Sequence, residues 1–444
     1  MNKKDILISD ANHGGLVLLE EYSKYTNNNL FFYDIYNKLS KSEKEEWENK
    51  TGVKFLSINE ILEDEDSFIK INPVHMPPVI KTDYTHHEFV AYLLKKMTHD
   101  DLKIIQVTGV KGKTTVTTLL KHVLSNYNTL VLTSAELTYN NKILIEKLSI
   151  TPASIITAIK KAQDMKILDD VDYCIFEVSL GVIPHGYINI LTNIIEDYDI
   201  AKASSSASIA KESVFTSQYT ICDFDAYKKY YSQHENVIRI SFDDENADVY
   251  ADKVDYTIKS TSFNIHYFDR TLTMTQFALS DFYVMNLLFA ISTALIIGMD
   301  IGDISSNLES AAPIEGRNSF RYINDKLIIE DINPGLNTTS IKKCVENLKK
   351  YGEDYLIIVG GDYGITCEEI DEEKLCNFLK KINPNCIILT GELGYNLKKR
   401  LKSDCSYFKK LGDAIEYCEN DADKKLIQII YRSEYNSEIK YFKK

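Results

Sequence analysis

The residues best suited to chemistry are Gly109-Val-Lys-Gly112-Lys113-Thr114-Thr115, which follow an apolar strand pattern, KIIQVT, and open a helical one. The order is that of a phosphate-binding loop, G-x-x-x-x-G-K-[ST], in shortened form. Glycines at Gly109 and Gly112 let successive backbone N–H groups approach phosphate oxygens, and the start of a helix adds its positive end. Lys113 would neutralise the outer phosphates of a nucleoside triphosphate, Thr114 would turn a hydroxyl toward Mg²⁺, and Thr115 completes the run. A chance glycine turn is the bland alternative, and the GKTT run at a strand-to-helix junction argues against it.

A second set lies downstream. Glu177 ends the apolar run DYCIFEVS, and Lys211 lies in the helical pattern after it. Taken alone, the first reads as a strand-end carboxylate and the second as a solvated helix lysine. A third set is N-terminal: Asp10-Ala-Asn-His13-Gly-Gly, Asn72-Pro-Val-His75-Met-Pro and Thr85-His86-His87-Glu88. Five of the nine histidines, at 13, 75, 86, 87 and 99, fall in the first quarter of the chain. They are consistent with a metal site or a polar pocket. Equally, Thr85 and Glu88 have the spacing of a capping box, which would make His86 and His87 the first turn of a helix.

These residues need a scaffold, and the pattern supplies one. Strand-like runs (DILIS, LFFYDIY, KIIQVT, TLVLTS, DYCIFEVS, LTNII) alternate with helical stretches, as do KLIIED, YLIIVGG, NCIILTG and KLIQIIY near the end. That alternation predicts an α/β protein with parallel sheets. Ser40–Glu48 predicts a solvated helix, Val249–Thr273 a β-rich stretch and Phe282–Ile297 a buried helix. Boundaries fall near residue 95 and after Arg317. They predict an N-terminal substrate-binding domain over 1–95, a central ATP-binding domain over 96–317 and a C-terminal α/β domain over 318–444. The 444 residues suffice for three domains of ~150 residues each.

Composition narrows the class. Hydrophobic residues make up 44 % and charged residues 26 %, the balance of a globular chain with real cores. A net charge of −14 argues against nucleic acid as a partner. No apolar run reaches the ~18 residues of a membrane span, and MNKKDILISD lacks the apolar core of a secretory signal. The eight cysteines form no CxxC pair, so neither a zinc knuckle nor a disulfide framework is indicated. A cytoplasmic monomer or weak oligomer is the expectation.

The loop Thr108-Gly-Val-Lys-Gly-Lys-Thr-Thr115 resembles the TGTNGKTT loop of the Mur ligase superfamily, and further blocks follow in that superfamily's order. Ile150-Thr-Pro152, Phe176-Glu-Val-Ser179, Thr192-Asn-Ile194 with Asp197, and Ala210-Lys211 come first. Asn286, Gly316-Arg317, Asp331-Ile-Asn-Pro334 and Gly360-Gly-Asp362 complete the series. The resemblance implies a Rossmann-like N-terminal domain, a central P-loop ATPase domain and a Rossmann-like C-terminal domain. By position it also implies ATP and Mg²⁺ as cofactors. Glu177 would be a magnesium ligand and Lys211 a lysine often carried as a carbamate. Asn286 would meet the adenine, and Arg317 and Asp331 the phosphate and ribose across a hinge. Two departures stand out: the usual Asp-His pair reads Asp197-Tyr198, and the arginine of G-G-D-R is Tyr363.

Within the superfamily, the three N-terminal histidine segments resemble the coenzyme F(430) synthetases of methanogenic archaea. This implies activation of a propionate of a nickel-carrying seco-tetrapyrrole as an acyl phosphate, followed by carbon–carbon ring closure. His13, His75, His86 and His87 would then be the substrate-binding candidates. Two rivals are a peptide ligase of a pseudomurein-like wall polymer and a non-catalytic ATP-binding regulator. The first would need an amino-acid pocket around an arginine, and Thr390-Gly-Glu-Leu-Gly394 has none until Arg400.

Overall fold

The structure is a computed structural model and describes residues 4–99, 101–309, 311, 313–323, 325–364, 370–421, 424–433 and 435. Two compact units emerge: Met1–Tyr250 with Asn286–Leu308, and Ala251–Met285 with Glu309–Lys444.

The first unit contains a fully parallel five-stranded sheet in the order Lys54–Phe55, Leu30–Tyr33, Asp5–Ser9, Phe68–Asn72, Tyr84–Thr85. Asp5–Ser9 is central and buried, so its last residues open onto the carboxyl edge where the Asp10–Gly15 turn begins. The helix predicted over Ser40–Glu48 forms at Lys41–Thr51 and buries none of its residues, as its charge dictates.

His86–Met97 is the helix that joins this sheet to the rest of the unit. Thr85 and Glu88 form the expected capping box, worth ~1 kcal/mol. Phe89, Val90, Leu93, Leu94 and Met97 recur at i, i+3, i+4 spacing and form its apolar face. That face shares one core with Ile155, Ile156, Ala158, Ile159 and Ala162 of the helix Pro152–Asp164. The boundary expected near residue 95 falls in the last turn of His86–Met97.

The second sheet of this unit has Ile104–Thr108 at its centre. Tyr173–Glu177 and Ile188–Leu191 flank that strand in parallel, with Thr129–Leu132 and Tyr219–Asp223 beyond them. The strand expected at LTNII ends at Leu191 instead. Beyond it, the Thr192 N–H still bonds Thr108 O, and the side chains of Thr192 and Asn193 turn onto the neighbouring loop.

In the second unit, a six-stranded sheet runs Arg317–Ile323, Lys326–Ile332, Leu426–Arg432, Tyr355–Gly361, Ile387–Thr390, Ser406–Phe408. Only its first pair is antiparallel. The β-rich stretch expected from Val249 includes the hairpin Thr261–Tyr267 with Arg270–Gln276. No helix among the described residues is long and apolar enough to cross a membrane. Of the cysteines, Cys367 lies outside the described residues, and the other seven are unbridged.

Candidate active site

Ile104–Thr108 delivers the chain to Gly109 at φ +146°, and the helix Lys113–Val123 starts behind Gly112, a left-handed N-cap at φ +85°. No side chain fits either glycine. A Cβ on Gly109 would lie 2.0 Å from Thr192 Oγ1, and one on Gly112 would lie 2.6 Å from Asn286 Oδ1. The loop between them is pinned from Leu191's far end. Val110 N–H donates to Asn193 O (3.0 Å), Lys111 N–H to Asn193 Oδ1 (3.1 Å), and Thr192 Oγ1 to Lys111 O (2.5 Å). In the sequence, Thr192 and Asn193 stand out only as part of a resemblance. Their work of holding the loop is visible in no local pattern.

Lys113 folds over this loop, its Nζ donating to Gly109 O at 3.0 Å. Thr114 Oγ1 donates to Glu177 Oε1 at 2.8 Å, and Ser134 N–H donates to Glu177 Oε2 at 3.0 Å. Glu177 is 2 % exposed. A buried carboxylate beside a threonine hydroxyl at a phosphate loop is a hard-oxygen donor set, the chemistry that suits Mg²⁺. Asn286 stands against Gly112, at the phosphate loop itself. Thr115 is buried behind it.

Lys211 ends the short helix Ala207–Lys211 and is 1 % exposed. Its solvated-lysine reading is therefore overturned: the helix packs inward because Gly181, at φ +114°, leaves room for Ala210 O. Asp197 caps this helix through Ser208 N–H (2.8 Å) and Ser208 Oγ (2.7 Å). Tyr198, standing where the superfamily has histidine, meets Lys211: its Oη is 3.5 Å from Nζ and its ring 5.4 Å away.

Four of the five N-terminal histidines form two pairs, and the fifth, His99, is exposed. His86 and His87 are buried, and each donates Nε2–H to a main-chain carbonyl at 3.1 Å, of Ser9 and Ser179 respectively. Burial pushes His86 down to about 3 and His87 down to about 4. Both are neutral at physiological pH, and His87 ties the first sheet to the segment just after Glu177. His13 and His75 instead converge on Asp10, with His13 Nδ1 at 2.6 Å and His75 Nε2 at 3.2 Å from Oδ2. Burial raises the Asp10 carboxyl, but hydrogen bonds from His13 and His75 outweigh it and hold the group well below the usual carboxylate range. The sequence drew attention to the histidines and not to Asp10. The D-x-x-H spacing, with Asn12 N–H on Asp10 Oδ1 at 2.9 Å, is the signal that marks it.

Arg317 and Asp331 do not face each other across a hinge as expected: both lie in the second unit and are Cα partners in one antiparallel ladder. Asp331 is buried, accepts from Asn318 N–H (3.0 Å) and Gln428 Nε2 (2.7 Å), and has its carboxyl raised by burial. At the carboxyl edge of the same sheet a cavity of about 500 Å³ is lined by Asp362, Glu392, Tyr395, Tyr407, Lys409 and Tyr431, with Gly391. Tyr363 bonds Glu372, as does Arg400 at 2.7 Å, so Arg400 is committed to an ion pair.

Comparison with known proteins places this geometry. Residues 107–294 match the family described as Mur ligase middle domain, and residues 320–434 match Coenzyme F430 synthetase CfbE, C-terminal domain. The chain is 33 % identical over 406 residues to the Coenzyme F(430) synthetase of Methanocaldococcus jannaschii, covering 88 % of this chain and 92 % of that protein. In fold it is similar to MurF from Acinetobacter baumannii, with a TM-score of 0.61 at 16 % identity over 99 % of this chain and 92 % of the other. It is also similar to a bifunctional folylpolyglutamate synthase/dihydrofolate synthase solved with Mn, AMPPNP and L-glutamate. There the TM-score is 0.58 at 16 % identity, over 78 % of this chain and 90 % of that one.

Proposed function

This chain belongs to the coenzyme F(430) synthetase family and has the Mur ligase fold, and from that premise we propose that it closes the last carbocycle of a nickel seco-tetrapyrrole at the expense of ATP. Membership makes it an ATP-dependent ligase of coenzyme F(430) synthesis. The finer reading is that one propionate of the seco-tetrapyrrole acid is the group activated.

A free carboxylate resists attack because any nucleophile meets its negative charge. In this reading its oxygen attacks the γ-phosphorus of ATP, ADP leaves, and an acyl phosphate results. A ring carbon then gives up a proton and attacks the carbonyl carbon. The C–O bond to phosphate breaks, and inorganic phosphate departs. The sum is one water lost from the substrate, one new carbon–carbon bond, and ATP converted to ADP and phosphate.

The residues divide this work. The helix start behind Gly112 and the Lys113 ammonium would hold the transferring phosphate and offset its charge. Thr114 Oγ1 and Glu177 are the oxygen ligands that Mg²⁺ would take. When bound, Mg²⁺ supplies charge neutralisation at the phosphoryl group. Lys211, buried beside Tyr198, would join them as a third ligand when carried as a carbamate, whereas as an ammonium it would offset phosphate charge. Asn286 would guide the nucleotide at Gly112; for Arg317 and Asp331 a nucleotide-binding role rests on the resemblance alone. The N-terminal domain over 1–95, with His13 and His75 at its accessible edge and His86 and His87 behind, would receive the tetrapyrrole. The central and C-terminal domains would run over 96–317 and 318–444.

The single observation that carries this reading is the Thr114–Glu177 contact behind a Gly-Lys-Thr loop, in a chain similar over 88 % of its length to a Coenzyme F(430) synthetase. Purified protein given ATP, Mg²⁺ and the nickel seco-tetrapyrrole acid should release phosphate and convert the substrate to a product lighter by one water. Turnover confined to an amino acid and a carboxylated wall precursor would make it a peptide ligase. No phosphate release with any substrate would make it a regulator.

A further inference from the structure

Three ligand atoms meet where the first strand ends. Asp10 Oδ2 is 2.6 Å from His13 Nδ1 and 3.2 Å from His75 Nε2, and the two ring nitrogens are 3.1 Å apart. With Asp10 ionised, protons cannot satisfy this triangle. An ionised carboxylate oxygen only accepts, so each edge to Asp10 needs an N–H on the ring facing it. If both nitrogens carry hydrogen, the two N–H groups confront each other. If one does not, its lone pair faces the carboxylate. Every tautomer leaves one repulsive edge, whereas a cation at the centre turns all three lone pairs to use.

The spacing suits an ion. Bonds of ~2.0–2.1 Å set the donors of a tetrahedral centre roughly 3.3 Å apart and those of an octahedral one roughly 3 Å apart. The two edges to His75 match a tetrahedral centre to within about 0.2 Å, and the Asp10–His13 edge would lengthen by about 0.7 Å. The site is also built rather than incidental. Asp10 is fully buried at φ +76°, a left-handed backbone that a non-glycine residue adopts only under constraint. Its N–H bonds Tyr33 O (3.0 Å), its carbonyl accepts from Gly15 N–H (2.9 Å), and Asn12 N–H occupies its other carboxylate oxygen. His75 packs edge-on against His13, ring centroids 4.2 Å apart. The His13 side chain is 41 % exposed, which leaves the outer side of the cluster open.

We propose that Asp10, His13 and His75 bind a borderline divalent transition metal, of which zinc is the type, with three protein ligands and an open position for water or an oxygen donor. Two imidazoles and a carboxylate favour zinc, cobalt, nickel or iron over the oxygen-seeking Mg²⁺. The site is therefore distinct in chemistry from Thr114 and Glu177. It is also not a grip on a tetrapyrrole's nickel: a metal already held by four ring nitrogens exposes only axial positions, and three convergent ligands cannot share one.

The test uses the full chain, stripped with a chelator and titrated with Co²⁺ followed by absorbance, then with Zn²⁺ by calorimetry. Wild type should show visible d–d bands without thiolate charge-transfer intensity, and should take up one Zn²⁺ per chain. His75→Gln and His13→Gln, each checked for an unchanged circular dichroism melt, should lose the bands and weaken Zn²⁺ binding at least tenfold. Thr114→Val should keep both signals. Absence of bands and of Zn²⁺ uptake in wild type would overturn the proposal, as would bands that persist in the folded histidine variants.

Discussion

Thr114 Oγ1 sits 2.8 Å from Glu177 Oε1, so the first turn of the helix behind the phosphate loop is tied to the end of a strand 63 residues later. Neither residue is free to wander: Glu177's second oxygen is held by Ser134 N–H, and its own strand lies parallel to Ile104–Thr108. The two oxygens proposed to meet Mg²⁺ are therefore held together by the fold itself.

Glu177→Gln keeps the size and removes the charge. Phosphate release at saturating ATP and Mg²⁺ should fall by on the order of 10²-fold or more, while the melting temperature shifts by a few degrees at most. Turnover near that of wild type would remove Glu177 from the metal site.

Gly112→Ala should injure the loop in two ways. Its φ of +85° costs a Cβ about 1–2 kcal/mol, and that Cβ would press on Asn286 Oδ1 at 2.6 Å. The KM for ATP should rise about tenfold or more. Adding Asn286→Ala should relieve the contact but not the backbone, recovering little. Full recovery in the double variant would mean that the contact alone matters.

His87 should make the fold acid-sensitive. Burial is the main cause of its lowered pKa, with Lys211 and His75 adding to it and the Ser179 carbonyl and Glu88 opposing. A histidine at about 4 in the fold and 6.5 when unfolded contributes stability that is present above pH 6.5 and lost as pH falls toward 4. The slope is on the order of 1 kcal/mol per pH unit. Urea midpoints at pH 7, 6 and 5 should fall steadily in wild type and more shallowly in His87→Gln. Parallel lines for the two proteins would assign the acid sensitivity elsewhere.

Lys211 allows a direct chemical assay. After equilibration with ¹³C-bicarbonate, a carbamate carbonyl resonance should appear in wild type and be missing from Lys211→Arg, whose turnover should drop about 10²-fold. A silent spectrum with unchanged turnover in bicarbonate-free buffer would leave Lys211 acting as an ammonium beside Tyr198.

The strands near both ends of the chain were readable because they are short apolar runs bounded by turn residues: Asp5–Ser9 and Tyr355–Gly361 form at the residues their pattern marks. The phosphate loop was readable for the same local reason, since glycine spacing and a following helix are contained in a few residues. Features that depend on distant partners were not. Nothing near Lys211 announces that Gly181 opens a place for its helix, and nothing near Arg317 announces its pairing with Asp331. The triangle of Asp10, His13 and His75 needs contact across 62 residues, which spacing alone does not give.

The common core of His86–Met97 and Pro152–Asp164 bears on how such an enzyme can diversify. The part expected to choose the substrate shares its interior with the part that handles ATP, so it cannot be exchanged as a cassette. A chimera that swaps the first 97 residues between relatives would carry Phe89, Leu93 and Met97 into a foreign groove.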